Sequence, residues 1–124
     1  VDHVKSILNE LELPYRILRL CGGDLGFTSA LTYDFEIFSS AQERWLEISS
    51  VSTFNSFQAE RLRLRYKDSN GKKQILHTLN GSSLALPRVL AGLLENYQGS
   101  KCIRIPKALV PYTGFDQINL DDHL

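Results

Sequence analysis

Hydrophobic residues at the start of the chain follow a helical period. They recur three or four positions apart, at Val1, Val4, Ile7, Leu8 and Leu11. This stripe predicts an amphipathic helix over Val1 to Leu11. Pro14 marks its end, because a proline pushes the residue before it out of the helical region.

A second helical period lies in the last third of the chain. Its apolar positions are Leu86, Val89, Leu90, Leu93, Leu94 and Tyr97. The pattern predicts a helix that packs one broad face on a sheet. Because Pro87 is tolerated only in the first turn, we expect the helix to start near Ser83.

Elsewhere apolar and polar residues alternate, which is the period of a strand. The predicted strands are 15–21, 32–38, 44–50, 61–66, 74–79 and 102–105. A short loop joins 32–38 to 44–50, and Ser69-Asn70-Gly71 is typical of a second hairpin turn. A capping-box pattern in Asn55 and Gln58 predicts a short helix near Ser56. Antiparallel hairpins with added helices make the expected fold α+β, with a mostly antiparallel sheet.

The pattern also predicts which side chains share a strand face and which segments are not buried strands. Strict alternation puts Trp45, Glu47 and Ser49 on one face of their strand, opposite Leu46, Ile48 and Ser50. The run 49–53 is too rich in hydroxyls for a buried central strand, and residues 106–124 are expected to be irregular. The strand 61–66 carries three arginines on one face, which either track phosphates or form a solvated, salt-bridged surface.

The composition is that of an ordinary globular domain. The chain has 124 residues, of which 43% are hydrophobic and 23% charged, with fourteen acidic and fourteen basic side chains. A net charge of zero gives no global attraction to nucleic acid. No apolar run approaches a membrane span, so we expect no membrane partner, and a cytoplasmic location. Cys21 and Cys102 lack metal-site spacing and are expected to be free core thiols.

Two short stretches suggest chemistry. Leu79 to Arg88 reads as strand, small polar turn and helix start, a combination that can bind an anion or can simply be a capped turn. Asp34 and Glu36 lie two positions apart on one strand face, where they either serve a cation or face solvent. The residues alone leave both alternatives open.

Several blocks of sequence, taken together, resemble seryl-tRNA synthetases. They are Gly23-Asp24-Leu25-Gly26, Thr32-Tyr33-Asp34-Phe35-Glu36, Glu47-Ile48-Ser49-Ser50-Val51-Ser52, Phe57-Gln58-Ala59-Glu60-Arg61, His77-Thr78-Leu79-Asn80-Gly81-Ser82, Leu94-Glu95-Asn96-Tyr97-Gln98 and Pro111-Tyr112-Thr113-Gly114. They occur in the order of that family and cover most of the chain.

The resemblance implies part of a class II aminoacyl-tRNA synthetase catalytic fold. Residues 1–124 would form a single, partial catalytic domain, its C-terminal portion. The chain contains no methionine and begins at Val1 within a helical pattern, so we expect a piece of a longer polypeptide. The N-terminal coiled coil that grips tRNA and the first part of the catalytic domain would lie upstream. The isolated piece is expected to be inactive.

The implied activity is that of a serine–tRNA ligase, a homodimer when intact. Its substrates are ATP, L-serine and tRNA(Ser), with Mg²⁺ as cofactor. Alternatives are a non-catalytic synthetase paralogue and a ligase that loads amino acids onto a carrier protein.

The resemblance also assigns residues. Glu47, Ile48, Ser49 and Ser50 match an ATP-binding segment, within which Glu47 and Ser50 match the metal ligands. Arg88 matches the catalytic arginine that binds the ATP phosphates, and Ser82 and Asn80 match positions near the serine substrate. Joint ligation by Glu47 and Ser50 requires a bulge or a strand end between Ile48 and Ser50, because strict alternation separates them.

Overall fold

The computed structural model describes residues 1–120. In chain order the elements are α1 (Asp2–Glu10), β1 (Tyr15–Arg19), β2 (Leu31–Ser39), β3 (Arg44–Asn55), α2 (Phe57–Arg61), β4 (Arg65–Lys67), β5 (Lys73–Ile75), β6 (Thr78–Gly81), α3 (Leu86–Tyr97), β7 (Cys102–Arg104), α4 (Val110–Thr113) and β8 (Gln117–Asn119). A four-stranded antiparallel sheet with the order β1-β2-β3-β6 forms the centre. The hairpin β4-β5 and the pair β7-β8 are separate. The expected α+β fold is confirmed.

One face of the central sheet forms the hydrophobic core. Phe35 and Ile37 of β2 and Ile48 of β3 are buried there, against Leu8 of α1 and Val89 of α3. Helix α3 approaches β2 closely at Gly92, where an added Cβ would lie 2.2 Å from the Ile37 Cδ1 atom. A side chain at this position would therefore require the buried Ile37 side chain to move.

Strand β3 contains a bulge at Ile48. Phe35 of β2 pairs with Ser49, but the next residue, Glu36, pairs with Glu47, so Ile48 has no partner of its own. The extra residue shifts the alternation from that point on. The expectation that Glu47 and Ser49 share a face is therefore wrong: Glu47 lies with Ser50, while Ile48 and Ser49 are both buried.

Strand β3 also runs further than expected, through the hydroxyl-rich segment to Asn55, and it is a central strand. The hydroxyls are tolerated because they find partners. The Thr32 and Ser52 hydroxyls lie 2.7 Å apart across β2 and β3. The Ser49 hydroxyl donates to the Ser82 carbonyl oxygen. A buried hydroxyl costs little once it is hydrogen-bonded.

The expected strand 61–66 is mostly wrong. Its first residue ends α2, where Arg61 Nη1 donates to the Phe57 carbonyl oxygen over 3.0 Å and its guanidinium stacks on the Phe57 ring. Arg63 then adopts a positive φ of 54°, and only Arg65–Lys67 is extended. Burial of Ala59 favours helix here. The three-arginine strand face does not form.

Of three smaller expectations, two change and one is confirmed. The expected strand 74–79 is divided between β5 and β6. The short helix near Ser56 is present, although no side-chain capping bond supports it. The stretch after Ile105 is not irregular throughout, since it contains α4 and the strand β8, which pairs with β7. The expectation for residues 121–124 lies outside the described residues.

The two cysteines are free, as expected, although Cys21 is exposed rather than in the core. Among residues 1–120 we find no helix that is both long enough and apolar enough to cross a membrane.

Helix α3 begins at Leu86 rather than near Ser83, with Pro87 in its first turn as expected. Its apolar face is broader than the sheet covers. Val89 and Tyr97 are buried, whereas Leu86 and Leu90 remain 71% and 58% exposed. With α1 and Leu109 they line an open apolar groove of about 610 Å³. Helix α3 therefore packs on the sheet as expected, but part of its apolar stripe stays uncovered.

Candidate functional site

The start of α3 is tied to β3 by two hydrogen bonds. The Ala85 N–H donates to the Ile48 carbonyl oxygen over 2.6 Å. Arg88 Nη1 donates to the neighbouring Glu47 carbonyl oxygen over 2.5 Å. Pairing between β3 and β6 reaches only to Val51, so the start of α3 can lie beside β3 at Glu47 and Ile48. Arg88 is thereby placed beside Glu47, although 41 residues separate them.

Ser49 connects the same strand to the turn before α3. Its side chain is buried, and its hydroxyl donates to the main-chain carbonyl of Ser82. This bond fixes the backbone of Ser82, whose side chain is exposed. Because the side chains of Ile48 and Ser49 both lie on the core side, any nucleotide contact they make has to use main-chain atoms. Their assignment to ATP binding stays a prediction.

The opposite face of the sheet carries the polar groups. Cross-strand partners share a face, so pairing of Glu47 with Glu36 and of Ser50 with Asp34 puts all four on this face. The structure thus brings Glu47 and Ser50 to the same side through a bulge, as their joint ligation requires. The bulge lies at Ile48, one position earlier than expected.

Charges on this polar face are unevenly compensated. Arg16 Nε and Glu36 Oε2 form an ion pair at 2.5 Å, and the Arg16 guanidinium also lies 4.6 Å from the Trp45 ring centroid. Glu47 is exposed. Asp34 is only 8% exposed, and its buried Oδ1 has no hydrogen-bond partner among the described residues. The face therefore retains negative charge near Ser50.

The donor set fits a hard divalent cation. Glu47, Ser50 and Asp34 offer only oxygen atoms, which are the ligands that Mg²⁺ prefers. Within residues 1–120 no three His, Cys, Asp or Glu side chains are grouped closely enough to hold a metal by themselves. An ion here has to keep several ligands from water or from a substrate, which is usual for Mg²⁺.

The predicted serine-binding residues lie at the edge of this face. Asn80 of β6 pairs with Ser52 of β3, so it shares the face of Ser50. Ser82 follows β6 directly, in the turn that leads to α3. The sequence prediction therefore selects residues that the fold brings together from β3, β6 and α3.

Sequence reasoning missed two features of the site. It did not identify Ser49 as the residue that holds the Ser82 backbone, and it left open whether Asp34 serves a cation or faces solvent. Alternation offers no signal for Ser49, because its position on the core side depends on the bulge. The unpartnered oxygen of Asp34 is visible only in three dimensions.

Comparisons with known proteins agree with these observations. A family model described as tRNA synthetase class II core domain (G, H, P, S and T) matches residues 1–97. A serine–tRNA ligase of Akkermansia muciniphila is 58% identical over 94% of this chain, and one of Salinibacter ruber is 52% identical over 98%. The chain spans only 28% and 29% of the lengths of these relatives.

Solved structures show the same similarity. Seryl-tRNA synthetase from Pyrococcus horikoshii, complexed with ATP, superposes with a TM-score of 0.88 at 38% identity. It is matched over 95% of this chain and 27% of its own. A cytoplasmic serine–tRNA ligase from Naegleria fowleri, in complex with AMP, gives 0.86 at 26% identity over 98% of this chain and 29% of its own.

Proposed function

The chain belongs to the tRNA synthetase class II core domain family (G, H, P, S and T), and we propose that it is the C-terminal part of the catalytic domain of a serine–tRNA ligase. Such an enzyme activates serine with ATP to give seryl-adenylate and pyrophosphate. It then transfers the seryl group to the 3′-terminal ribose of tRNA(Ser). The serine–tRNA ligases that match nearly the whole chain support this reading.

One observation carries the proposal: Glu47 and Ser50 share the polar face, and Arg88 is bonded to the Glu47 main chain. Activation brings the serine carboxylate against the triphosphate, so negative charge has to be neutralised and the reactants aligned. Glu47 and Ser50 would hold Mg²⁺, which supplies charge neutralisation on the phosphates when bound.

Arg88 is the proposed catalytic arginine. Guanidinium carries five N–H donors in a planar fork and is always charged. The bond to the Glu47 carbonyl uses one of them, which leaves four to bind the β- and γ-phosphates. This bond also orients the side chain before ATP arrives, so less conformational entropy is lost on binding.

Ser82, with Asn80 beside it, is proposed to bind the serine substrate. A hydroxyl that hydrogen-bonds the substrate hydroxyl discriminates against alanine, because alanine cannot make that hydrogen bond. The Ser49 bond to the Ser82 carbonyl supports this role by fixing the backbone that carries the recognising side chain.

The remaining expectations concern the intact enzyme. We propose that it is a cytoplasmic homodimer and that the chain has no activity alone, because much of the ATP site and the tRNA-binding region lie in other parts of the ligase. Formation of adenylate by the isolated 124-residue chain would contradict this proposal.

The test is serine-dependent ATP–pyrophosphate exchange by a full-length ligase that contains the chain, followed by charging of tRNA(Ser). Exchange together with charging is expected. Exchange without charging of tRNA, but with loading of a carrier protein, would replace the proposal by the other ligase class. No exchange with any amino acid would indicate a non-catalytic paralogue.

A further inference from the structure

Asp34 is an anomaly on the polar face of the sheet. It lies in the middle of β2, is 8% exposed, and has a buried carboxylate oxygen, Oδ1, with no hydrogen-bond partner among residues 1–120. A buried charge is costly unless it is paired or coordinates a metal. The position therefore calls for a partner that complements a carboxylate.

Neighbouring groups on the sheet are already engaged. Two positions along β2, Glu36 takes the guanidinium of Arg16. In the other direction, Thr32 is hydrogen-bonded to Ser52. Directly opposite Asp34 on β3 is Ser50, one of the two proposed metal ligands. The Cβ atoms of such a cross-strand pair lie about 5 Å apart, so the Asp34 carboxylate and the Ser50 hydroxyl face the same small volume.

Glu47 is the next polar residue beside the Asp34–Ser50 pair on this face. It pairs with Glu36, one step along the face from the Asp34–Ser50 pair, because the bulge at Ile48 removes the usual offset. Asp34, Ser50 and Glu47 are thus neighbours on one face of two adjacent strands. Of the nearby cations, Arg16 is paired with Glu36 and Arg88 contacts the Glu47 main chain, so neither is bonded to Asp34.

We propose that Asp34 is a positioning residue of the divalent-cation site, accepting a hydrogen bond from a water molecule of the hydrated Mg²⁺ that Glu47 and Ser50 hold. This inference rests on the proposed function for the identity of the site. We place the contact through water because Mg²⁺ keeps several of its water ligands and binds through few protein groups. Groups that orient metal-bound ligands typically contribute 10–100-fold to metal affinity.

The experiment compares Asp34→Asn with wild type in a full-length ligase containing the chain. Binding of Mn²⁺ is measured by electron paramagnetic resonance with ATP present and serine absent, so that no turnover occurs. Asp34→Asn is expected to weaken Mn²⁺ binding about 10–100-fold. The Mg²⁺ concentration for half-maximal ATP–pyrophosphate exchange rises in parallel, and the KM for serine is unchanged.

Glu36→Gln is the matched control. It removes a carboxylate from the same face of the same strand, but one that Arg16 already neutralises. Its Mn²⁺ affinity is expected to change less than threefold. An equal loss in both variants would overturn the proposal, because it would reflect general negative charge rather than Asp34.

Two further outcomes would also overturn it. An unchanged Mn²⁺ affinity with a raised KM for serine would make Asp34 a substrate-binding group instead. A lower thermal unfolding midpoint of metal-free Asp34→Asn would show a structural role, since removing an unpaired buried charge should leave that midpoint unchanged or raise it. Absence of exchange in the wild type would reject the proposed function, whereas the Mn²⁺ measurement would still test Asp34.

Discussion

Arg88 Nη1 donates a hydrogen bond to the main-chain carbonyl oxygen of Glu47, 2.5 Å away and 41 residues earlier in the chain. The bond links the first turn of α3 to the bulged part of β3. A cation and a carboxylate are thereby held at one place without forming an ion pair with each other, since the arginine contacts the backbone and not the Glu47 side chain. Both charges therefore stay available to ligands.

Replacing Arg88 tests its proposed role in phosphate binding. In a full-length ligase, Arg88→Ala should lower ATP–pyrophosphate exchange by roughly 10²–10³-fold, the usual effect of removing a donor that stabilises developing charge. Arg88→Lys should recover little, because an ammonium group lacks the planar fork. Arg61→Ala, which removes an exposed arginine on α2, should leave exchange unchanged. Unchanged exchange in Arg88→Ala would reject the assignment.

Glu47 and Ser50 should contribute unequally to metal affinity. Glu47→Gln removes a charged oxygen ligand and should weaken Mn²⁺ binding more than Ser50→Ala, which removes a neutral one. Both effects can be measured by titration with Mn²⁺ in the presence of ATP. Glu43→Gln in the hairpin turn serves as a control for charge. Equal affinity in Glu47→Gln and wild type would remove Glu47 from the site.

Gly92→Ala should be destabilising while Ile37 is present. The added Cβ of Gly92→Ala would meet Ile37 Cδ1 at 2.2 Å in a fully buried position. Relieving such overpacking costs about 1–3 kcal/mol, and most of this range exceeds the gain of about 1 kcal/mol from a better helix former. Urea unfolding should therefore show a lower free energy of unfolding for the variant.

The same contact can be tested by a double variant. Ile37→Val removes the Cδ1 atom, so Gly92→Ala should cost less in the Ile37→Val background than alone. Gly22→Ala is the matched glycine control, because nothing lies within 4 Å of the new Cβ. Strict additivity of the two changes would show that the contact does not limit packing.

Ionisation of the Tyr97 phenol should make the free energy of unfolding depend on pH. Its hydroxyl donates to the Leu11 carbonyl oxygen over 2.6 Å, and burial, with the negative charge of Glu12 as a second cause, raises the pKa of Tyr97 above its usual value of 10.0. The folded state thus favours the neutral phenol. Its contribution to stability is complete below the unfolded pKa and is lost as pH rises through the folded pKa.

Tyr97→Phe should reveal that contribution. At pH 7 the variant should be less stable by about 1 kcal/mol, because the Leu11 carbonyl loses its donor. The difference from wild type should shrink above pH 10, as the wild-type tyrosine ionises. Urea unfolding of both proteins between pH 7 and 11 measures the difference, in which the other titrating groups cancel. A difference that is independent of pH would contradict the assignment.

Much of the fold can be predicted from hydrophobic period alone. Strands β1, β2 and β7 and helices α1 and α3 follow from alternating or helical patterns, because one face of each is buried. The prediction is wrong for 61–64, where apolar and basic residues alternate but Arg61 ends α2 and Arg63 has a positive φ. A local pattern does not contain the tertiary contact that decides such a case.

The candidate site was predictable in its residues but not in its geometry. Resemblance to the synthetases selects Glu47, Ser50 and Arg88, and a bulge is expected only because two of them have to act together. The hydrogen bonds of Ser49 and the unpartnered oxygen of Asp34 have no counterpart in the sequence pattern. They arise from pairing between strands whose register one extra residue changes.

Ile48 is one extra residue in β3, and it reverses which residues face each side of the sheet beyond it. On one side of it odd-numbered residues reach the polar face, and on the other side even-numbered residues do, as Glu47 and Ser50 show. Deleting one residue between Glu47 and Ser50 would move the side chains on one side of the deletion from the polar face to the core face, and the reverse. Deleting two residues would leave each side chain on its present face. Transplanting this strand into another protein therefore requires keeping the parity of its length as well as its side chains.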